Sequence, residues 1–224
     1  MTFSIVARCA DTKMLGIAIS SSSPAVAARC VHTRAQIGAV SSQNITDPLL
    51  GPKTLDLMAK EQPARTAVKQ VVHEAEFIEY RQIVCVDSAG RTAIFSGSYS
   101  LGICGEVQTD NAASAGNLLA NSDIPQHMVD QFCGSRGHLG DRLILALQAG
   151  LDAGGEAGDL HSAGMQIVGD LPWPIVDLRC DWDENCPITA LRASWEVYRP
   201  QIDDYIQRAC NPHSAPSFGV PGDE

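Results

Sequence analysis

Residues 2–9 (TFSIVARC) and 14–21 (MLGIAISS) decide the fold. Both stretches are short, apolar and β-branched, and the four residues between them, Ala10-Asp11-Thr12-Lys13, are turn formers. They read as a hairpin. If its turn centres between Asp11 and Thr12, paired positions sum to about 23, and Thr2 falls opposite Ser21. The run Ser20-Ser21-Ser22-Ser23-Pro24 then leaves its strand beside Thr2, offering hydroxyls and backbone N–H groups there. A strand as apolar as 2–9 is poorly suited to an exposed edge, so a central position is expected.

Outward from the hairpin, 37–43 reads as a third strand, and Pro63 opens a helix with Ala67, Val68, Val71, Val72 and Ala75 on one face. A second hairpin spans 81–87 and 91–97 across Ser88-Ala89-Gly90, with 112–120 expected to pair beside it. Helices follow over about 124–133 and 138–152, and Gly154-Gly155 stops the second. Strands return at 162–169 and 174–180. A last helix starts at Pro187, and Pro200 bends or ends it. The pattern implies hairpin-built antiparallel sheets covered by helices, an α+β fold met by a four-layer α-β-β-α sandwich. One domain over 1–211 is expected, with 212–224 as a C-terminal arm or tail.

The 224 residues are 45% hydrophobic and 19% charged, a globular composition. A formal net charge of -10 argues against nonspecific binding to nucleic acid or an anionic membrane. No apolar run approaches the ~20 residues of a membrane span, and the start lacks the basic and apolar regions of a signal peptide. A cytoplasmic location is expected. Eight cysteines (9, 30, 85, 104, 133, 180, 186, 210) show no paired spacing and read mostly as small buried hydrophobes.

Most chemical motifs are missing: no GxGxxG, no GxxxxGK[ST], no GxSxG, no SxxK and no HExxH. Asp181, Asp183 and Asn185 imitate the start of a calcium loop, but Cys186 replaces its glycine and Arg192 its bidentate Glu. That turn reads as a helix lead-in. No metal or cofactor is implied. The N-terminus is more informative. Aminopeptidases normally remove Met1 before a residue as small as threonine, leaving Thr2 with a free α-amine beside its own hydroxyl. An α-amine titrates near 7.7–8.0, so part of it is neutral at neutral pH and can serve as the base that activates the hydroxyl.

Several blocks in order then resemble the family catalogued as domain of unknown function 1028. They include Thr2 to Arg8, Ser20 to Cys30, Gly38 to Gln43, Gly51-Pro52, Tyr80-Arg81-Gln82, Ala115-Gly116-Asn117, Asp141-Arg142-Leu143, Gly154-Gly155-Glu156, Ser162-Ala163-Gly164, Asp177-Leu178-Arg179 and the ending Phe218 to Asp223. The resemblance implies an N-terminal-nucleophile (Ntn) hydrolase-like fold. It also implies cleavage of an amide or other C–N bond through an ester on the N-terminal residue. Proteasome-like members of that superfamily place a lysine near the end of the third strand. Here the region reads Ser41-Ser42-Gln43-Asn44.

Around Thr2 the candidate substrate or oxyanion residues are Ser21, Ser22, Ser23, Gln43, Asn44, Arg81 and Asn117. Gln43 and Asn44 can donate to an oxyanion or cap a turn. Arg81 can clamp a substrate carboxylate or pair structurally with Asp177, the favoured role. Asn117 is ambiguous in the same way. Glu156 and His161 flank Gly158 in a loop, and the sequential His161-Ser162 need not form a dyad. Asp141-Arg142 reads as a helix surface pair. A two-fold homodimer is expected from the aromatic stripe Trp195, Tyr198 and Tyr205 and from the arm. Two readings stand: a hydrolase of a small amide, ureido or amino-acid-derived metabolite, and a catalytically silent binding protein that kept the fold. Intact-mass spectrometry separates them first. The hydrolase predicts a chain lacking Met1; a retained Met1 blocks the amine and favours silence.

Overall fold

The N-terminal hairpin forms in the register its turn dictates. In the computed structural model, which describes residues 2–222, β1 (Thr2–Arg8) runs antiparallel to β2 (Leu15–Ser21) with Phe3 opposite Ser20 and Arg8 opposite Leu15. Met1, whose removal the reading above requires, and Asp223 and Glu224 at the end of the arm lie outside the described residues. On its other side β1 pairs with β8 (Ala112–Asn117), which places Thr2 opposite Asn117 and makes β1 a central strand.

Two antiparallel sheets result. Beyond β3 (Val31–Arg34), β4 (Gly38–Asn44), β5 (Arg81–Asp87) and β6 (Thr92–Ser96), the strands are β7 (Gly105–Thr109), β9 (Ser162–Val168) and β10 (Pro174–Cys180). One sheet has the order β10-β9-β2-β1-β8-β7 and the other β3-β4-β5-β6. The helices are α1 (Ala27–Cys30), α2 (Leu50–Ala59), α3 (Ala64–Glu74), α4 (Ile124–Gly134), α5 (Leu139–Asp152), α6 (Pro187–Tyr198) and α7 (Ile202–Cys210). The fold class is therefore mixed α+β.

Alternation along the strands divides the core. Phe3, Ile5 and Ala7 of β1 face Met128, Phe132, Leu143 and Leu147 of α4 and α5. Val6, with Leu15 and Ile17 of β2, instead meets Ala39, Val84 and Val86 of the four-stranded sheet. The other face of that sheet packs Val40, Ile83 and Cys85 on Leu55, Ala67, Val68 and Val71 of α2 and α3.

Several expectations need correction. The 112–120 segment does not pair beside the second hairpin; β8 joins β1 in the other sheet. Its small residues, AASAGN, are buried on both faces, and their low bulk gave no sign of the sheet they enter. Helix α2 was not expected; Gly51-Pro52 occupies its first turn, where proline's missing N–H costs nothing. A Cβ at Gly51 would lie 2.1 Å from His32 Cδ2, so a side chain there has no room. Strand β7, exposed and carrying Glu106, has too little apolar pattern to be legible. Of the eight cysteines only Cys9, Cys30 and Cys85 are buried, and all eight are free thiols.

Pro200 does interrupt the last helix, through a 3-10 turn at Arg199–Gln201. The arm then folds back on its own chain. Arg208 donates to the carbonyls of Pro216 and Ser217 at 3.1 Å each and lies 3.9 Å from the Phe218 ring. Trp195 is buried and donates to Asp141 Oδ1 at 2.8 Å, while Tyr198 Oη donates to the Ile175 carbonyl at 3.0 Å. Asp141 also pairs with Arg199 at 3.2 Å and not with its neighbour Arg142. No helix among the described residues is long and apolar enough to cross a membrane.

Ile17 is fully buried between the sheets. Ile17→Ala should cost about 2–5 kcal/mol in urea unfolding, whereas Leu49→Ala, on a side chain 61% exposed, should stay within about 0.5 kcal/mol.

Candidate active site

Because β1 begins at Thr2, the first described residue sits at one end of the central strand, flanked by the ends of β2 and β8. Thr2 is only 4% exposed. Its Oγ1 donates to Ser21 Oγ at 3.4 Å, as the hairpin register anticipated. Ser21 Oγ also receives the Ser23 backbone N–H at 3.1 Å, and Ser21 and Ser23 hydroxyl oxygens lie 2.8 Å apart. Either hydroxyl can donate across that contact. Ser23 Oγ accepts Arg29 Nη2 as well, at 2.6 Å. The hydroxyl chain thus runs from Thr2 through Ser21 to Ser23 and ends on a guanidinium.

Arg29 was missed in the sequence. It donates through Nη1 to the carbonyls of Pro24 and Ala25 at 2.6 and 3.0 Å, clamping the loop after the serine run. Its only sequence signal was a cation in the first turn after that run. Ser162, on β9, supports the same loop: its hydroxyl donates to the Ser23 carbonyl at 2.6 Å and accepts Val26 N–H at 3.2 Å. Ala25 itself is left-handed, with φ of 52°, and Leu118, just past Asn117, has φ of 51°. Such conformations cost a non-glycine residue roughly 1–2 kcal/mol and cluster at functional sites.

Glu156 joins Ser22. The carboxylate, 6% exposed, accepts the Ser22 backbone N–H through Oε1 and Oε2 at 3.2 and 3.1 Å. Burial pushes its pKa up to about 7, and the Ser22 hydrogen bonds and the charge of His161 offset this only in part. Glu156 also lines a cavity of about 460 Å³ with Leu151, Leu160, Glu184, Asn185 and Cys186. The His161 backbone N–H donates to the Ser21 carbonyl at 2.9 Å. Its ring stacks on Trp182 with centroids 4.2 Å apart, and Nδ1 meets the Asp183 carbonyl at 3.0 Å, so no His161-Ser162 dyad forms.

Between the sheets runs a buried polar chain. Gln43 Oε1 accepts the hydroxyls of Ser4 and Ser41 at 2.6 and 2.8 Å. Its Nε2 donates to Gln82 Oε1 at 2.7 Å and to the Ala115 carbonyl at 3.1 Å. Both amide protons are therefore consumed, and Gln43 has none for an oxyanion. Gln82 Oε1 also accepts Asn117 Nδ2 at 3.2 Å. Asn117 is fully buried, yet its Oδ1 has no partner. An orphaned buried acceptor costs about 1–3 kcal/mol, and this one lies across the ladder from Thr2.

The remaining candidates do not converge on Thr2. Asn44, left-handed at φ of 71°, donates to the Tyr80 carbonyl at 2.6 Å and accepts Leu101 N–H at 3.2 Å, so it caps the strand end. Arg81 donates to the Ile45 carbonyl. The Arg81–Asp177 pair does not form, because Asp177 is on the edge strand β10 of the other sheet, exposed and bonded to Gln166 at 2.9 Å. Asp181 pairs with Arg179 at 2.8 Å and Asp183 caps the N–H groups of Asn185 and Cys186, which makes that turn a helix lead-in. A groove of about 660 Å³ between α5 and α6 lies among Asp141, Leu145, Arg192, Trp195 and Arg199, none of which joins the Thr2 group.

Residues 2–191 match the model of a family of unknown function, DUF1028, and the chain belongs to that family. A crystal structure of protein SPO2555 from Silicibacter pomeroyi, of the same family, is similar at 28% identity and a TM-score of 0.82, covering 88% of each chain. A chain of Anbu (ancestral beta-subunit) from Yersinia bercovieri is 10% identical over 92% of this chain and 97% of that one, at a TM-score of 0.42, too low to carry an argument. No curated protein matches the sequence.

Glu156 makes stability depend on pH. Its folded pKa of about 7 lies above the ordinary 4.5, so its contribution is whole below about 4.5 and is lost as pH rises through about 7. Urea unfolding from pH 4.5 to 8 should show Glu156→Gln recovering at most roughly 3 kcal/mol at the alkaline end. Identical pH profiles for the two proteins would contradict the assignment.

Proposed function

We propose that the protein is an N-terminal-nucleophile hydrolase with a four-layer α-β-β-α sandwich, cleaving an amide or other non-peptide C–N bond of a small metabolite. The observation that carries this reading is Thr2 at the head of the central strand, its hydroxyl joined to Ser21 and facing the unpartnered Asn117 acceptor across the ladder. Once Met1 is removed, the α-amine of Thr2 is the base within reach of its own hydroxyl. The amine takes the proton of the Thr2 hydroxyl as that oxygen attacks, while the contacts from Ser21 through Ser23 to Arg29 hold the hydroxyl in place. That oxygen attacks the substrate carbonyl carbon, and the amine carries the proton to the leaving nitrogen. The C–N bond breaks, and water hydrolyses the Thr2 ester. Asn117 Oδ1 is the acceptor for the amine or for a substrate N–H. No lysine stands at the end of β4, so the hydroxyl chain and the buried setting tune the amine.

One observation favours the alternative, a silent small-molecule binding protein. Ser22 N–H, a natural oxyanion donor, is held by Glu156. In the hydrolase reading this carboxylate must release it on substrate binding, which a pKa near 7 makes accessible at neutral pH.

Purified protein lacking Met1 should release ammonia or an amine from members of an amide and ureide panel. Thr2→Ala should lower kcat by about 10³-fold or more with little change in melting temperature, and Thr2→Ser should keep part of the activity. Full turnover in Thr2→Ala, or in chains that keep Met1, would overturn the mechanism.

A further inference from the structure

We propose that the far end of the six-stranded sheet holds a second site, for a small organic oxyanion that also bears a hydroxyl or ammonium group. This goes beyond the Thr2 reading and does not depend on it. Thr2 and Arg8 cap opposite ends of β1, seven residues long, and so are roughly 20 Å apart. At the Arg8 end, the β1–β2 turn, the β7–β8 turn and the α4–α5 connection enclose a cavity of about 430 Å³ that includes Arg8, Arg136, Arg142, Asp11 and Asp110. That volume suits a small metabolite.

Three guanidiniums around one cavity are unexpected in a chain of net charge -10 with only 16 basic residues. The ion pairs among the described residues use Arg34, Arg91, Arg179 and Arg199, and none of these three. Among the described residues the side chains of Arg8 and Arg142 bond only to neutral oxygens, Asn111 Oδ1 at 3.0 Å and the Phe132 carbonyl at 3.1 Å. The Nε atoms of both are buried without a partner. Unpaired buried N–H groups on a cation are costly, and an oxyanion supplies what they lack, bidentate charge-assisted hydrogen bonds. Arg142 Cζ lies 4.0 Å from the centroid of the Phe132 ring, and Arg136 is exposed on the connecting loop. Asp11 and Asp110 stand as acceptors for a donor group on the same ligand.

Isothermal titration with inorganic pyrophosphate and with citrate tests the site on the whole chain. At least one probe should bind with a dissociation constant of about 1 mM or tighter, weakening as salt is raised. Pyrophosphate alone would indicate a phosphorylated ligand, citrate alone a carboxylated one. Arg142→Gln and Arg136→Gln should each weaken binding about tenfold or more, and Thr2→Ala should leave it unchanged. If Arg142→Gln does not fold, the exposed Arg136 carries the test. Failure of both probes to bind, or equal affinity in wild type and Arg136→Gln, would overturn the proposal.

Discussion

Everything at the candidate site follows from one pairing, Phe3 opposite Ser20. In an antiparallel ladder a slip of one residue turns every side chain to the other face. Such a slip would bury Ser4 among the helices, expose Phe3 to the neighbouring sheet and separate Thr2 from Ser21. The apolar pattern of β1 and β2 forbids it, since Phe3 and Ile5 require the helical side and Val6 and Ile17 the inter-sheet side. Hydrophobic burial thus sets the register, and the register sets the chemistry.

The same alternation puts Ser4 among polar groups between the sheets. Gln43, Gln82, Ser41 and Ser96 satisfy one another there, so the network links the two sheets at little net cost. Asn117 is where the network stops short. Its Oδ1 is the one amide oxygen of Gln43, Gln82 and Asn117 left without a partner, and it lies beside Thr2.

The hairpin, the central place of β1, the Thr2–Ser21 contact and the helices of the second half were legible because they rest on local periodicity and turn chemistry. Strands β3 and β7 and helix α2 were not, since each is short, edge-placed or opened by Gly51-Pro52. At the site, the serine run was readable because it adjoins the hairpin. Arg29 and the grip of Glu156 on Ser22 were not, because they depend on loops brought together only by folding. Arg81 with Asp177 failed for the same reason: a plausible charge pair says nothing about which sheet each strand enters.

The central claim is that the Thr2 hydroxyl is the group that attacks. A β-lactone acylates such a nucleophile and leaves a stable ester, and peptide mapping by mass spectrometry locates it. The account predicts one equivalent of label on Thr2 of chains lacking Met1, lost in Thr2→Ala. Label settling on Ser21, Ser23 or a cysteine in those chains, with Thr2 unmodified, would contradict it.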